Sequence, residues 1–168
     1  KVHREGYTQF RDTTRERDYT HDKGHLSWMY TARKAAETEY ETLEALYSEV
    51  AVPEPVDQNR HALVMSRFDG VELRRADVDE PLVVLDAVLD ELSKAWDVGY
   101  IHSDMSAYNV MVSSDGIRII DWPQSVETDH PHARQLLERD ISNLLSHFGK
   151  RYDVDLPTKD EAVERVVG

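Results

Sequence analysis

The stretch Tyr100 to Gln124, YIHSDMSAYNVMVSSDGIRIIDWPQ, limits what this chain can fold into more than any other part of it. Two β-favouring runs, Val110-Met111-Val112 and Ile117-Arg118-Ile119-Ile120, flank the turn signal Ser113-Ser114-Asp115-Gly116, and together they read as an antiparallel hairpin. The residue entering the first strand and the residue leaving the second then lie at the same open end, about 5 Å apart across the ladder. Asn109 and Asp121 are therefore expected to be neighbours. Offered beside Asp104, their amide and carboxylate oxygens suit a hard cation such as Mg²⁺, which keeps waters and binds substrate phosphates. Asp104, five residues before Asn109, stands where a base can accept a hydroxyl proton during in-line transfer. Asp and Asn also belong in ordinary turns; it is the joint spacing, not any one residue, that carries the signal.

Composition narrows the class. The 168 residues, 40% of them hydrophobic, suffice for one compact domain or two small lobes sharing a cleft. Asp and Glu number 33 against 14 Arg and 6 Lys, for a net charge of −13. That balance disfavours nonspecific binding to polyanions through the bulk field, and it fits a protein kept soluble in high salt, so a halophilic source is expected. The absence of Cys excludes disulfides, thiolate metal sites and Cys nucleophiles. The eight His show no zinc spacing. The longest apolar stretch, Pro81 to Leu89, is broken by Asp86 and is too short to span a membrane. No charged-then-apolar leader opens the sequence, and the expected location is the cytoplasm.

Along the chain, Arg11 to His25 mixes charges without periodicity and reads as a loop. A helix is expected from an N-cap at Ser27 to about Tyr47, with Trp28, Ala32, Ala35, Leu43 and Leu46 as its apolar stripe. Glu39 falls on that stripe while Glu37 and Glu41 do not, and an inward carboxylate needs a cationic partner. Two prolines hold Val52 to Val56 extended, His61 to Met65 reads as a strand, and Asp69-Gly70 as the turn ending it. A second helix is expected from Pro81 to Val98, stopped by Gly99, with Leu85, Leu89, Leu92 and Trp96 in the core. A third starts near Pro131 and carries Ala133, Leu137, Ile141, Leu144 and Phe148, with Asp140 beside them in a structural hydrogen-bonding role.

His102-x-Asp104-x4-Asn109 with Asp121 at hairpin distance follows the catalytic-loop and metal-loop order of protein kinases. Over nearly its whole length the chain resembles the RIO-type atypical protein kinases, and within them the Rio-two branch of archaea and eukaryotes. Lys1-Val-His-Arg-Glu-Gly6 is similar to the family's third strand with its catalytic lysine. Glu39 falls on the helix glutamate that pairs with that lysine, and Asp121-Trp-Pro-Gln124 on the metal-binding aspartate with its aromatic, Pro and Gln. Pro53-Glu-Pro55, Asn59 to Ala62 and Val64-Met65 resemble the approach to the hinge, and Thr128-Asp-His130 and Glu138-Arg-Asp140 continue the match. The resemblance implies an α+β, protein-kinase-like two-lobed fold of RIO type: a partial N-lobe over residues 1–65, a hinge at 66–70 and a mostly helical C-lobe over 71–168 with the catalytic β-hairpin. It implies ATP and Mg²⁺ as cofactors. Lys1, paired with Glu39, would hold the α- and β-phosphates, Asn109 and Asp121 the metal. The adenine would lie near Met65, with hinge contacts from Ser66 to Phe68. The implied activity is that of a serine/threonine kinase or ATPase acting in maturation of the small ribosomal subunit, with that particle and its rRNA as partners.

Three departures qualify this. Ser103 replaces the Gly or Ala common in the family's H-x-D. No Ala-Pro-Glu segment follows Asp121, and no Arg precedes Asp104, absences that RIO kinases share. The sequence starts at the third strand, so a fragment lacking the Gly-rich loop and the winged-helix domain is expected. Two other readings remain: a small-molecule kinase of the aminoglycoside or choline type, which needs more helical mass than one long helix on each side of the catalytic stretch, and a nonenzymatic assembly factor, against which intact Lys1, Glu39, Asp104, Asn109 and Asp121 argue. The Arg4, Arg11, Arg15 and Arg17 cluster is interleaved with Glu5, Asp12, Glu16 and Asp18 and reads as a solvated mixed-charge loop before it reads as a phosphate-binding surface.

Overall fold

The computed structural model describes residues 1–3 and 28–168. The loop expected from Arg11 to His25, the Ser27 cap and the four-arginine cluster lie outside the described residues. Helix α1 (Trp28–Leu46) turns Ala32, Ala35, Ala36, Leu43 and Leu46 inward. Glu39 goes in with them at 1% exposure. Glu37 stays near the surface, paired with Arg33 and Lys34 at 2.7 and 2.6 Å, and Glu41 is exposed.

Strands β1 (Pro55–Asn59) and β2 (Ala62–Met65) form an antiparallel hairpin that turns at Arg60, φ 54°. The extended segment at the prolines was expected, but not its continuation as a strand through Asn59. Asp57 and Asn59 are of types with low strand propensity, and pairing with β2 overrides it. Residues 1–3 run along the other edge of β2: Leu63 donates to the Lys1 carbonyl and His3 to the His61 carbonyl, both at 2.8 Å, with Val2 bridging Ala62. The strand ends at Met65, residues 66–70 have no regular structure, and the chain re-enters a sheet at β3 (Val71–Glu72). At Gly70 a Cβ would lie 2.6 Å from the Phe68 ring and 2.9 Å from the Val112 carbonyl oxygen, so only glycine lets this segment lie flat on the neighbouring strand.

Helix α2 (Pro81–Val98) has the expected bounds. Pro81 lacks an N–H where the first turn has no partner for one, and Gly99, at φ 106°, turns its own N–H back to the Ala95 and Trp96 carbonyls. Its buried face is Leu85, Val88, Leu89, Leu92 and Ala95; Trp96 is only half-buried, because the stripe passes through Ala95. Each of the three leucines contributes about 1.5–3 kcal/mol by burial. After β4 (Tyr100–Ile101) come β5 (Val110–Ser113) and β6 (Gly116–Ile119), paired from Val110↔Ile119 to Ser113↔Gly116. β5 also pairs with β3, while β4 pairs with β7 (Val126–Glu127).

Helix α3 (Ala133–Arg151) buries Ala133, Leu136, Leu137, Ile141, Leu144 and Phe148. A further helix, α4 (Lys159–Val167), corrects the expectation that one helix follows Asp121. Its signal is a capping box: Thr158 Oγ1 accepts the Glu161 N–H at 3.3 Å and Glu161 accepts the Thr158 N–H at 2.8 Å. Ala162, Val163 and Val166 pack it against α2 and α3, and Arg165 reaches Asp86 and Asp90 on α2.

Candidate active site

The two strand pairs form a frame. β4 leads into the catalytic loop, His102 to Asn109, which ends in β5; β6 leads into the loop Asp121 to Ser125, which ends in β7. Since β4 pairs with β7 and β5 with β6, the two loops are held side by side at both ends. The register sets Asn109 opposite Ile120, whose N–H donates to the Asn109 carbonyl at 2.9 Å, so Asp121 follows one residue beyond Asn109's partner.

α3 holds the catalytic loop from behind. Asp140, 1% exposed, accepts the Met105 N–H at 3.0 Å, in the structural role expected of it. Arg139 donates to the Ser103 carbonyl at 2.6 Å and Asn143 to the Met105 carbonyl at 3.2 Å. Burial pushes the Asp140 carboxyl up to about 7, against the opposing pull of the Met105 amide and the Arg139 guanidinium. His102 is fully enclosed and tilted against the Trp122 ring at 4.6 Å; its Nε2 donates to the Ile120 carbonyl at 3.0 Å. Because a carbonyl only accepts, that bond fixes the Nε2–H tautomer, and burial lowers the imidazole's pKa. The Asp104 carboxylate faces outward. Partial desolvation raises its pKa, and the Asp121 charge adds to the rise against the pull of His102 and Arg139. Asn109 donates its amide N–H to the Asp104 carbonyl at 2.9 Å, which leaves Oδ1 as the atom able to ligate a cation.

Lys1 joins the halves. Its Nζ lies 2.8 Å from the Glu39 carboxylate and 2.5 Å from Asp121 Oδ1. Burial pulls the Lys1 pKa down, but the two carboxylates outweigh it and hold the ammonium above its ordinary value. Glu39 also meets His3 Nε2 at 2.7 Å and the Trp122 N–H at 3.3 Å. Asp121 sits in left-handed backbone at φ 70° with its side chain 46% exposed. Its loop is fastened behind it: Trp122 Nε1 donates to the Ile119 carbonyl at 3.1 Å, Ser103 Oγ donates to the Gln124 carbonyl, and the Thr42 and Ser125 hydroxyls meet at 2.6 Å.

The structure thus brings Lys1, Glu39, Asp104, Asn109 and Asp121 to one place. At the expected hinge, Met65 is half-buried, the Ser66 N–H is taken by the Glu54 carbonyl at 2.8 Å, and the Phe68 ring lies under the Arg118 guanidinium at 5.1 Å. Sequence reasoning missed His3, Thr42, Ser125, Arg139 and Asn143. The alternation Lys1/His3 on one face of a strand was available; the hydroxyl pair and the α3 donors join residues far apart in the chain and left no local mark. Among the described residues no cluster of three His, Cys, Asp or Glu could hold a metal alone, and no helix is long and apolar enough to cross a membrane. The oxygen donors of Asn109 and Asp121 fit Mg²⁺ in its usual mode, in which phosphates and waters complete the shell.

Two loops joined by the β5–β6 hairpin, faced by a Lys1–Glu39 pair from the segment beside β2 and from α1, have the arrangement of a protein-kinase-like fold. Residues 1–161 match the RIO domain, and the chain belongs to that family. It is 40% identical over 171 residues to RIO-type serine/threonine-protein kinase Rio2 of Methanocaldococcus jannaschii, covering 98% of this chain and 62% of that protein. Against serine/threonine-protein kinase rio2 of Schizosaccharomyces pombe it is 32% identical over 166 residues, covering 96% and 48%. The crystal structure of the Rio2 kinase–ADP/Mg²⁺–phosphoaspartate complex from Chaetomium thermophilum superposes with a TM-score of 0.71 at 31% identity, covering 98% of this chain and 53% of that one. The chain spans about half the length of the curated relatives it matches.

Proposed function

We propose that this chain is the catalytic part of a Rio2-type, ATP-dependent serine/threonine kinase or ATPase. The observation that carries the reading is Lys1 Nζ held between Glu39 and Asp121, with Asp104 and Asn109 on the adjoining loop. Residues 66–70 act as the hinge between a smaller lobe, 1–65, and a larger one, 71–168. The adenine lies near Met65; because the Ser66 N–H is spent on Glu54, base contacts fall to the Ser66 carbonyl and the amides that follow it through Phe68. Lys1 binds the α- and β-phosphates, and Asn109 and Asp121 are the metal ligands. Mg²⁺, when bound, offsets the charge gathering on the phosphate oxygens. Asp104 takes the proton of the attacking hydroxyl as the new O–P bond forms and the bond to the ADP oxygen breaks. Partial desolvation raises its pKa, which makes the carboxylate a better proton acceptor than a fully solvated one.

The related Rio2 crystal structure contains ADP, Mg²⁺ and a phosphoaspartate. By analogy an Asp121 oxygen attacks the γ-phosphorus as ADP leaves, and water then cleaves the acyl phosphate, giving up its proton to Asp104. The family resemblance extends the reading to maturation of the small ribosomal subunit in the cytoplasm, with that particle and its rRNA as partners, and the acidic composition supports a halophilic source. The test is incubation of the complete protein with γ-labelled ATP and Mg²⁺. A hydroxylamine-labile label, absent from Asp121→Ala, is expected. A hydroxylamine-stable label kept in Asp121→Ala would make Asp121 a metal ligand only, and absence of both label and ATP turnover would overturn the enzymatic reading.

A further inference from the structure

Ser103 occupies left-handed backbone, φ 54°, between His102 and Asp104. Glycine adopts that conformation without steric cost and serine does not, so a serine here needs a reason beyond the backbone. The side chain supplies one. Ser103 is 1% exposed, its hydroxyl donates to the carbonyl of Gln124, and its own carbonyl receives Arg139 at 2.6 Å. It therefore grips α3 on one side and the Asp121 loop on the other. Asp121, left-handed and half exposed, makes its one described side-chain bond with Lys1 Nζ, across from the loop it belongs to. The position of its carboxylate depends on how firmly the four residues after it are held.

We infer that Ser103 is a positioning residue for Asp121: its hydroxyl straps the catalytic loop to the metal loop and fixes the spacing of Asp104 and Asp121. The strap works together with the Thr42–Ser125 hydroxyl pair at 2.6 Å, which ties the next residue of the same loop to α1. Removing the Ser103 donor leaves the Gln124 carbonyl, on a residue only 8% exposed, without that bond and frees the segment between Trp122 and Ser125. The inference rests on the proposed role of Asp121 as a Mg²⁺ ligand for its functional consequence, but not for the mechanical one.

Two variants separate hydroxyl from backbone. Ser103→Ala loses the donor and keeps the strained φ; Ser103→Gly loses the donor and relieves it. Two measurements are made on the complete protein: amide hydrogen exchange over Trp122 to Ser125, and calorimetric ADP binding titrated with Mg²⁺. Both variants are expected to exchange faster in that loop and to need about 2- to 10-fold more Mg²⁺ for half-maximal ADP binding, the range one lost hydrogen bond gives. Ser103→Gly should melt above Ser103→Ala. A purely structural role would lower the melting temperature of Ser103→Ala while leaving loop exchange and Mg²⁺ demand unchanged in Ser103→Gly, and that result overturns the inference. If ADP binding by the unaltered protein does not respond to Mg²⁺, the metal assignment of Asp121 fails, and loop exchange alone decides the strap.

Discussion

Replacing Glu39 by Ala removes one carboxylate from three partners at once, and the structure lets the cost be apportioned. Lys1 keeps Asp121, and its side chain is 31% exposed, so loss of the Glu39 pair is screened and costs about 0–1 kcal/mol. His3 is fully buried and loses a charged acceptor at 2.7 Å, worth about 1.5–3 kcal/mol. The Trp122 N–H loses a longer contact, at 3.3 Å, worth about 0.5–1 kcal/mol. The expected destabilisation is about 3 kcal/mol, which for a chain of this size lowers the melting temperature by about 6–12 °C. Urea unfolding followed by circular dichroism at pH 7 measures it. Glu39→Gln keeps the shape and an acceptor oxygen and should lose less than Glu39→Ala. A His3→Ala, Glu39→Ala double-mutant cycle should show a coupling above about 0.5 kcal/mol. A Glu39→Ala loss below about 1 kcal/mol, or additivity in the cycle, would refute the reasoning that Glu39 is the shared acceptor of Lys1, His3 and the Trp122 N–H.

Asp121→Ala is expected to lower nucleotide turnover and Mg²⁺ dependence together, whereas Asp104→Ala keeps nucleotide binding and loses rate; calorimetry beside single-turnover kinetics separates them, and equal loss of binding in both would be the contrary result. Asp140 gives a pH signature: its folded-state pKa, about 7, lies above the unfolded value of 3.8, so the native state binds the extra proton and stability falls as pH rises from about 4 to 7. Relative to Asp140→Asn, which stays neutral, the parent should lose on the order of 4 kcal/mol across that window, and a pH-independent difference between the two would contradict it. Gly70→Ala drives a Cβ into the Phe68 ring and the Val112 carbonyl and should cost about 1–3 kcal/mol while weakening nucleotide binding at the proposed hinge; unchanged thermal stability would show that the segment yields freely. Thr158→Ala should cost about 1 kcal/mol through the α4 cap, read by thermal unfolding.

The elements legible in the sequence were those with punctuation of their own. Pro81 and Gly99 delimit α2 because a missing N–H and a left-handed φ are properties of single residues. The hairpin was legible because β-branched runs and a turn signal are adjacent, and with it the neighbourhood of Asn109 and Asp121. Glu39 was legible from its phase on an apolar stripe. What escaped depends on pairing at a distance: β3, β4 and β7 are two residues each and exist only as partners of other strands, and β1 carries Asp, Gln and Asn that become a strand because β2 lies beside them. α4 carries a local start signal in its Thr158–Glu161 capping box, but its nine residues and three buried side chains give too short an apolar stripe to stand out.

The contacts found only in the structure change how the site must be understood. Glu39 and Thr42 are three residues apart on the inward face of α1, and each binds the segment after Asp121, one at the Trp122 N–H and the other at the Ser125 hydroxyl. Side chains at that spacing lie side by side on one face of a helix. A shift of α1 therefore cannot withdraw Glu39 from Lys1 without also pulling on the loop that presents Asp121. On the opposite side Asp140, Arg139 and Asn143 anchor the catalytic loop to α3, and Ser103 crosses between the two loops. The site is thus suspended between two helices, with the Lys1 ammonium and the Ser103 hydroxyl as its cross-links. It follows that substitutions on the inward face of α1 should perturb the metal loop more than substitutions equally near Asp104 on the solvent side, since among the described residues the former are hydrogen-bonded to the segment after Asp121 at Trp122 and Ser125.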